Sequence, residues 1–344
     1  MMQDVSRRAF LSVAGGAAAV LGLAACGGGG DAGSGGSGGA DTATGPWEYT
    51  DDRGKKLSLP QRPQRVVTYV SGAAALWDFG VRPLGLYGPS KDEDGTPNLQ
   101  AGNIDLAAVT SVGGEDYNGL TLERLAALKP DLLIASLNGP TAESRWVIKD
   151  DIAQIEQICP VYSIQESAKP LPEIISAYET LAERLGGNVE DPAIAQARDT
   201  FRAAGDDLKG ALAEKPGLRV EFAYADTDGF YVASPKFYST LIWYGQLGMD
   251  IARKDDPNTD FLEQLSWETV AKYPADLICT DIRTFSLPQK QIIAQFPTFA
   301  NLPAVKAGQL GGYNGEPRFS YQTAVAEVQN LTASVRRSRT GVAA

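Results

Sequence analysis

From Trp47 onward, short apolar runs alternate with stretches whose apolar positions recur every three or four residues. The first pattern fits strands buried on both faces and the second fits helices that bury one stripe. Strands are expected at 65–70, 82–87, 111–113, 131–136 and 159–164, with helices at 73–79, 120–128 and 142–157 between them. This alternation predicts βαβ units and a mostly parallel sheet. Two helical patterns without intervening strands follow, at 171–185 and 192–213. The second starts with Pro192, whose missing N–H costs nothing in a first turn, and its 22 residues reach about 33 Å. Alternation then resumes, with strands at 218–225, 229–233, 249–251, 276–280 and 307–312 and helices at 236–247, 265–273 and 321–337.

An internal repeat organises these elements. The segment from Leu120 to Ile134 aligns without a gap on Leu265 to Cys279. In both copies a Thr or Ser stands where a helix would be capped, a Glu (Glu123, Glu268) follows two residues later, and an Asp (Asp131, Asp276) opens an apolar strand. A carboxylate in a first helical turn complements the helix dipole. The expected fold is therefore α/β with two similar lobes, each a mostly parallel sheet flanked by helices. The helical stretch at 192–213 is long enough to bridge them. The boundaries are 47–170 for the first lobe, 171–215 for the linking helices, 216–337 for the second lobe and 338–344 for a tail.

The first residues follow different rules. Arg7-Arg8 precede an uncharged Ala/Leu/Val run from Phe10 to Ala25, which is short for a membrane span and has the layout of an export signal. Ser6-Arg7-Arg8-Ala9-Phe10-Leu11 resembles a twin-arginine signal. Leu23-Ala24-Ala25-Cys26 resembles a lipobox, which implies removal of residues 1–25 and lipidation of Cys26. Residues 26–46 are nearly all Gly, Ser, Ala, Asp and Thr. They form a flexible tether spanning roughly 20–26 Å. The expected location is the outer face of the cytoplasmic membrane, held by the lipid.

Charge and composition narrow the chemistry. The net charge of −11 argues against nucleic acid or anionic lipid as partners, since both need basic patches. The chain has no histidine, which removes Ser–His and Cys–His catalysis and the commonest transition-metal ligand. No resident cofactor or metal site is expected. Cys159 and Cys279 sit in strand-like runs of different lobes and read as buried thiols. The close acidic pairs, Asp226 with Asp228 and Asp255 with Asp256, are the candidates for an anchored enzyme, but their setting reads as turns.

Several segments together resemble the solute-binding proteins of ABC importers, in the group that carries ferric siderophores, haem and vitamin B12. These are Arg53-Gly54 through Pro63-Gln64-Arg65-Val66-Val67, Leu76 to Gly85, Leu122-Glu123 through Lys129-Pro130-Asp131, and Leu302-Pro303-Ala304-Val305-Lys306-Ala307-Gly308. The resemblance covers about residues 47–336. It implies a monomeric, non-enzymatic protein that captures an iron chelate and delivers it to an ABC permease, with a haem or cobalamin carrier as the alternative. It also implies that one long rigid helix joins the lobes, that the ligand cleft lies between them, and that Glu123 and Glu268 dock into the permease.

Ligands of parallel α/β sheets bind at the carboxyl ends of strands. The post-strand segments here are rich in aromatic and Arg side chains. Tyr69, Ser71, Tyr87, Asn138, Arg145 and Trp146 come from the first lobe, and Tyr231, Arg283, Tyr313 and Arg318 from the second. Aromatic walls suit a large, partly apolar ligand, and Arg meets carboxylate or hydroxamate oxygens as a fork. A chelate arrives with its metal already coordinated, so shape and charge replace metal ligands.

Overall fold

The computed structural model describes residues 45–115, 119–138, 148, 151–254 and 261–343. The export segment, Cys26, the tether up to residue 44, Arg145, Trp146, Asp255 and Asp256 lie outside the described residues.

The chain enters through a hairpin, β1 (Trp47–Thr50) and β2 (Lys56–Leu59). Its turn is held by Asp51, whose carboxylate accepts from the Arg53, Lys55 and Ser163 amides at 3.0, 3.0 and 3.2 Å. The first lobe then runs β3 (Val66–Tyr69), α1 (Val70–Asp78), β4 (Gly85–Tyr87), β5 (Thr110–Ser111), α2 (Leu122–Leu128), β6 (Leu132–Leu137), α3 (Ile152–Ile158) and β7 (Val161–Gln165). Its five strands pair in the order β5-β4-β3-β6-β7, all parallel.

Two helices follow, α4 (Leu171–Arg184) and α5 (Pro192–Ala213). Asp191 caps α5 by accepting from the Ala193 amide at 2.8 Å. The second lobe comprises β8 (Arg219–Ala225), β9 (Phe230–Ala233), α6 (Ser239–Gln246), β10 (Asp250–Ile251), β11 (Leu262–Leu265), β12 (Leu277–Asp281), α7 (Gln289–Gln295), α8 (Pro297–Ala300), α9 (Pro303–Lys306), β13 (Leu310–Tyr313) and α10 (Tyr321–Arg337). Its sheet order is β11-β9-β8-β12-β13, with β10 pairing the first half of β8. The sheet is mixed, because β9 runs antiparallel to both β8 and β11.

The repeat is explained at its Asp. Asp131 accepts from the Gln64 and Arg65 amides at 2.8 and 2.9 Å, and its own amide donates to the Arg65 carbonyl. Asp276 accepts from the Arg219 amide at 3.1 Å, and its amide donates to the Arg219 carbonyl. In each lobe the Asp locks the start of one strand to the start of its parallel neighbour, fixing the registers Val66↔Leu132 and Val220↔Leu277. A one-residue slip would turn every side chain to the wrong face.

The repeat's helix forms in one lobe only. Glu123 lies in the first turn of α2, although Thr121 caps it without a side-chain hydrogen bond. The helix expected at 265–273 is absent. Leu265 is claimed by the β11–β9 ladder opposite Phe230, and 266–272 is a run of turns closed by Thr269 N–H to Ser266 and Lys272 N–H to Thr269. Trp267 stacks on Phe296 at 3.6 Å, and Pro274 disfavours helix at the residue before it. Tertiary packing of one Trp outweighs a short segment's weak helical bias. The tail is held too, since Asp276 also accepts from the Val342 and Ala343 amides at 2.7 and 3.0 Å.

One apolar core runs through both lobes. It includes Leu76, Leu132 and Ile134 of the first lobe, Tyr178 and Leu181 of α4, and Phe201 and Leu208 of α5. It continues through Phe222 and Leu241 of the second lobe and Val328 and Leu331 of α10. Both linking helices take part in the connection. α4 packs on α1 and α6, while α5 packs on α10. The outer faces of the two sheets have their own clusters. A core shared by both lobes resists wide opening, which would expose close-packed apolar surface to water. Cys159 and Cys279 are free and buried; burial pushes both thiols up to about 12, so neither is reactive at neutral pH.

Candidate functional site

Strand order places the site. In the first sheet β3 lies between β4 and β6, so successive crossovers leave to opposite sides, and a crevice opens at the carboxyl ends of the strands. There the chain supplies Asn138 beyond β6 and Glu166 and Ser167 beyond β7. The second lobe supplies Tyr224 near the end of β8, Phe237 and Tyr238 before α6, Arg283 and Phe285 after β12, and Glu316 after β13. These side chains surround one cavity of about 370 Å³ between the lobes.

The walls are aromatic. Tyr224 stacks flat on Tyr231 with ring centroids 4.3 Å apart, and Phe285 meets Tyr224 edge-on at 5.5 Å. Phe237 stacks on Phe261 at 4.5 Å. Phe285 is 42% exposed and Ile282 beside it 52%. These are large apolar side chains to leave in water, and Phe285 lines the cavity.

The polar part is a buried network. Arg283 donates Nε–H to both oxygens of Asp281 at 3.1 and 3.0 Å, a terminal N–H to Asp281 at 2.5 Å, and another to Glu316 at 2.9 Å. Its guanidinium also lies 4.4 Å over the Phe285 ring. Gln100 of the first lobe donates to the same Glu316 oxygen, and the Tyr69 hydroxyl acts on that carboxylate as well. Burial raises the Glu316 carboxyl above the usual range, with Arg283 opposing. Gly315 permits this packing, because a Cβ there would lie 2.6 Å from both Arg283 and Asp281.

Glu166 is the second buried acid. The Tyr178 hydroxyl donates to its Oε1, while Oε2 makes no hydrogen bond among the described residues. Burial pushes its carboxyl up to about 7; the Tyr178 hydrogen bond opposes this, as do the nearby polar side chains of Ser136 and Asn138, and Glu316 reinforces it.

The expected site residues divide into three groups. Asn138 and Arg283 line the cavity. Tyr69 and Tyr87 form a buried pair behind it, 5.4 Å apart, and Tyr69 reaches Glu316. Gly88, at φ +98°, leaves room for the Tyr69 ring. Tyr231 supports Tyr224 from the side away from the lining. The remaining three do not line the cavity. Ser71, expected in a post-strand loop, lies inside α1, because helix begins directly after Tyr69. Tyr313 is core, edge-on to Phe222 at 5.3 Å. Arg318 ties the lobes together, donating to the Leu99 carbonyl at 2.9 Å and to Glu327 at 2.6 Å.

Sequence reasoning passed over Glu166, Glu316 and Tyr224. All three stand at or within three residues of a strand's carboxyl end, so the strand-end rule itself would have found them. Asp226 does what a turn residue does, accepting from the Asp228 and Gly229 amides at 2.7 and 3.0 Å. Among the described residues no group of three His, Cys, Asp or Glu could hold a metal ion, and no helix is long and apolar enough to cross a membrane.

Comparison with known proteins agrees with this geometry. A family model described as periplasmic binding protein matches residues 84–315. The Fe(3+)-citrate-binding protein YfmC of Bacillus subtilis is 27% identical over 264 residues, covering 76% of each chain. DesE, a ferric-siderophore receptor protein of Streptomyces coelicolor, is 31% identical with a TM-score of 0.80, over 86% of this chain and 99% of that one. The petrobactin-binding protein YclQ of Bacillus subtilis shares the fold at 15% identity, with a TM-score of 0.65 over 85% of this chain and 99% of its own.

Proposed function

The chain belongs to the periplasmic binding protein family, and we propose that it is the extracytoplasmic binding component of an ABC importer, capturing a ferric siderophore. The observation that carries this reading is the inter-lobe cavity at the strand ends, walled by Tyr224, Phe237, Tyr238 and Phe285 and floored by the Arg283 network. An aromatic wall with few convergent polar groups fits a large organic chelate better than a bare ion. The similarity to proteins named for ferric siderophore and Fe(3+)-citrate binding points the same way. The family consists of binding proteins, and we read this chain as a monomeric binder that performs no chemistry on its ligand.

The same reading places the protein on the outer face of the cytoplasmic membrane, held by a lipid on Cys26 beyond a Gly/Ser tether. Glu123 on α2 and Glu268 in the corresponding turn of the second lobe are both exposed. In this proposal they contact the permease, where a pair of separated charges sets register and encounter rate more than affinity. The test of the capture function is native mass spectrometry and tryptophan-fluorescence titration with ferric siderophores, haem and cobalamin. Retention of a ferric siderophore at micromolar concentration or below is expected, and exclusive retention of haem or cobalamin would replace this assignment.

A further inference from the structure

The cavity's charge is unusual for a site meant to hold an anion. Of the described residues that line it, Glu166 and Glu316 are acidic and Arg283 alone is basic. Arg283 is already matched, since Asp281 beneath it and Glu316 beside it both accept from its guanidinium. Other cations nearby are turned to other tasks. Lys236 is exposed and lies 5.3 Å from the Phe237 ring. Arg253 donates to the Val232 carbonyl and sits 3.9 Å from Glu263, and Arg318 is paired with Glu327. An anion entering this cavity would lose its water and, among the described residues, meet no surplus positive charge, which is costly in a desolvated site.

Three polar atoms are left for the ligand instead. Glu166 Oε2, Glu316 Oε1 and Ser239 Oγ are buried, belong to residues lining the cavity and make no hydrogen bond among the described residues. Buried polar atoms are nearly always satisfied, so this corner asks for a partner. With the Phe237 and Tyr224 rings alongside, the surroundings favour a donor on an otherwise apolar arm.

We infer that the cavity selects ferric chelates whose assembled complex carries no net negative charge, and that an N–H-bearing arm of the chelate seats against Glu166. This rests on the proposed capture of an iron chelate and adds the ligand's charge class, which the family leaves open.

The experiment uses the full chain and four ferric complexes at pH 7.4. They are a neutral cyclic trihydroxamate, a linear trihydroxamate ending in an ammonium, a tricatecholate bearing three negative charges, and citrate. The two trihydroxamates are expected to bind at least tenfold more tightly than the tricatecholate or citrate. Glu166→Gln is expected to lower affinity for the ammonium-bearing complex severalfold while changing the tricatecholate little. Equal or tighter binding of the tricatecholate or citrate overturns the charge inference and leaves chelate capture standing. Unchanged binding of the ammonium complex by a folded Glu166→Gln protein overturns the seating at Glu166. Failure of all four complexes to bind a cooperatively folded protein overturns chelate capture itself.

Discussion

Replacing Arg283 by Ala is expected to unsettle the whole site before any question of ligand affinity arises. The side chain is 9% exposed, Asp281 is fully buried and Glu316 is 9% exposed. Removing the guanidinium leaves two carboxylates facing each other with no cation between them. A unit charge pair about 4 Å apart is worth about 4 kcal/mol at an effective dielectric of 20. Breaking a buried pair by deleting one partner typically costs about 3–5 kcal/mol. Glu316 can relieve part of this by taking up a proton, since its carboxyl already titrates high, so a loss of about 3 kcal/mol is the expected outcome. For a folded unit of about 300 residues that lowers Tm by roughly 5 °C. The assay is urea unfolding followed by tryptophan fluorescence at pH 7, with Arg202→Ala as the control. The Arg202–Asp199 pair is exposed on both sides and should contribute less than about 1 kcal/mol. A triple variant, Arg283→Met with Asp281→Asn and Glu316→Gln, removes the stranded charges and should recover part of the loss. If Arg283→Ala unfolds within about 1 kcal/mol of the parent, Arg283 is not the keystone of a buried network and the account of the site's floor fails.

Three further outcomes follow from the same physics. Glu166 titrates near 7 when folded, above its unfolded value, so the stability it contributes is complete below about pH 4.5 and lost as pH rises through 7; Glu166→Gln should flatten the urea midpoint across that window by on the order of 3 kcal/mol, and an unaltered pH profile would contradict the burial argument. Glu221 is buried in β8 with Oε1 unpartnered among the described residues, and burial alone raises its carboxyl well above the usual range; Glu221→Leu should raise stability at pH 7 by about 1–3 kcal/mol, and a lower midpoint would show that the carboxyl has a further task. Gly315→Ala should force Arg283 from Asp281, because the added methyl would lie 2.6 Å from both; a crystal structure of the variant with the Arg283–Asp281 pair intact would refute the steric reading.

The sequence by itself determined the layered plan. Runs of β-branched and aliphatic residues at 66–69, 132–137 and 277–281 could only be buried strands, and α5 and α10 occupy the residues their apolar spacing marked. It also determined the two-lobe repeat, through the equivalent Asp131 and Asp276, because a carboxylate that must meet two backbone amides is a local requirement visible in one residue. What it left undecided was the fate of weak local signals. The 266–272 segment had the look of a helix, but the stacking of Trp267 on Phe296 comes from residues about 30 positions away, and no local pattern reports it. The site shows the same division. The strand-end rule located the crevice and Asn138 and Arg283 within it. It could not tell Tyr69, which reaches Glu316, from Tyr313, which packs on Phe222, since both are tyrosines ending strands. Nor could it mark Glu166 and Glu316 as buried, because an acidic residue in a loop is ordinarily solvated. Only the closing of one lobe on the other, with Gln100 reaching Glu316 and Arg318 reaching Leu99, took those carboxylates out of water and made the cavity's charge a property of the fold.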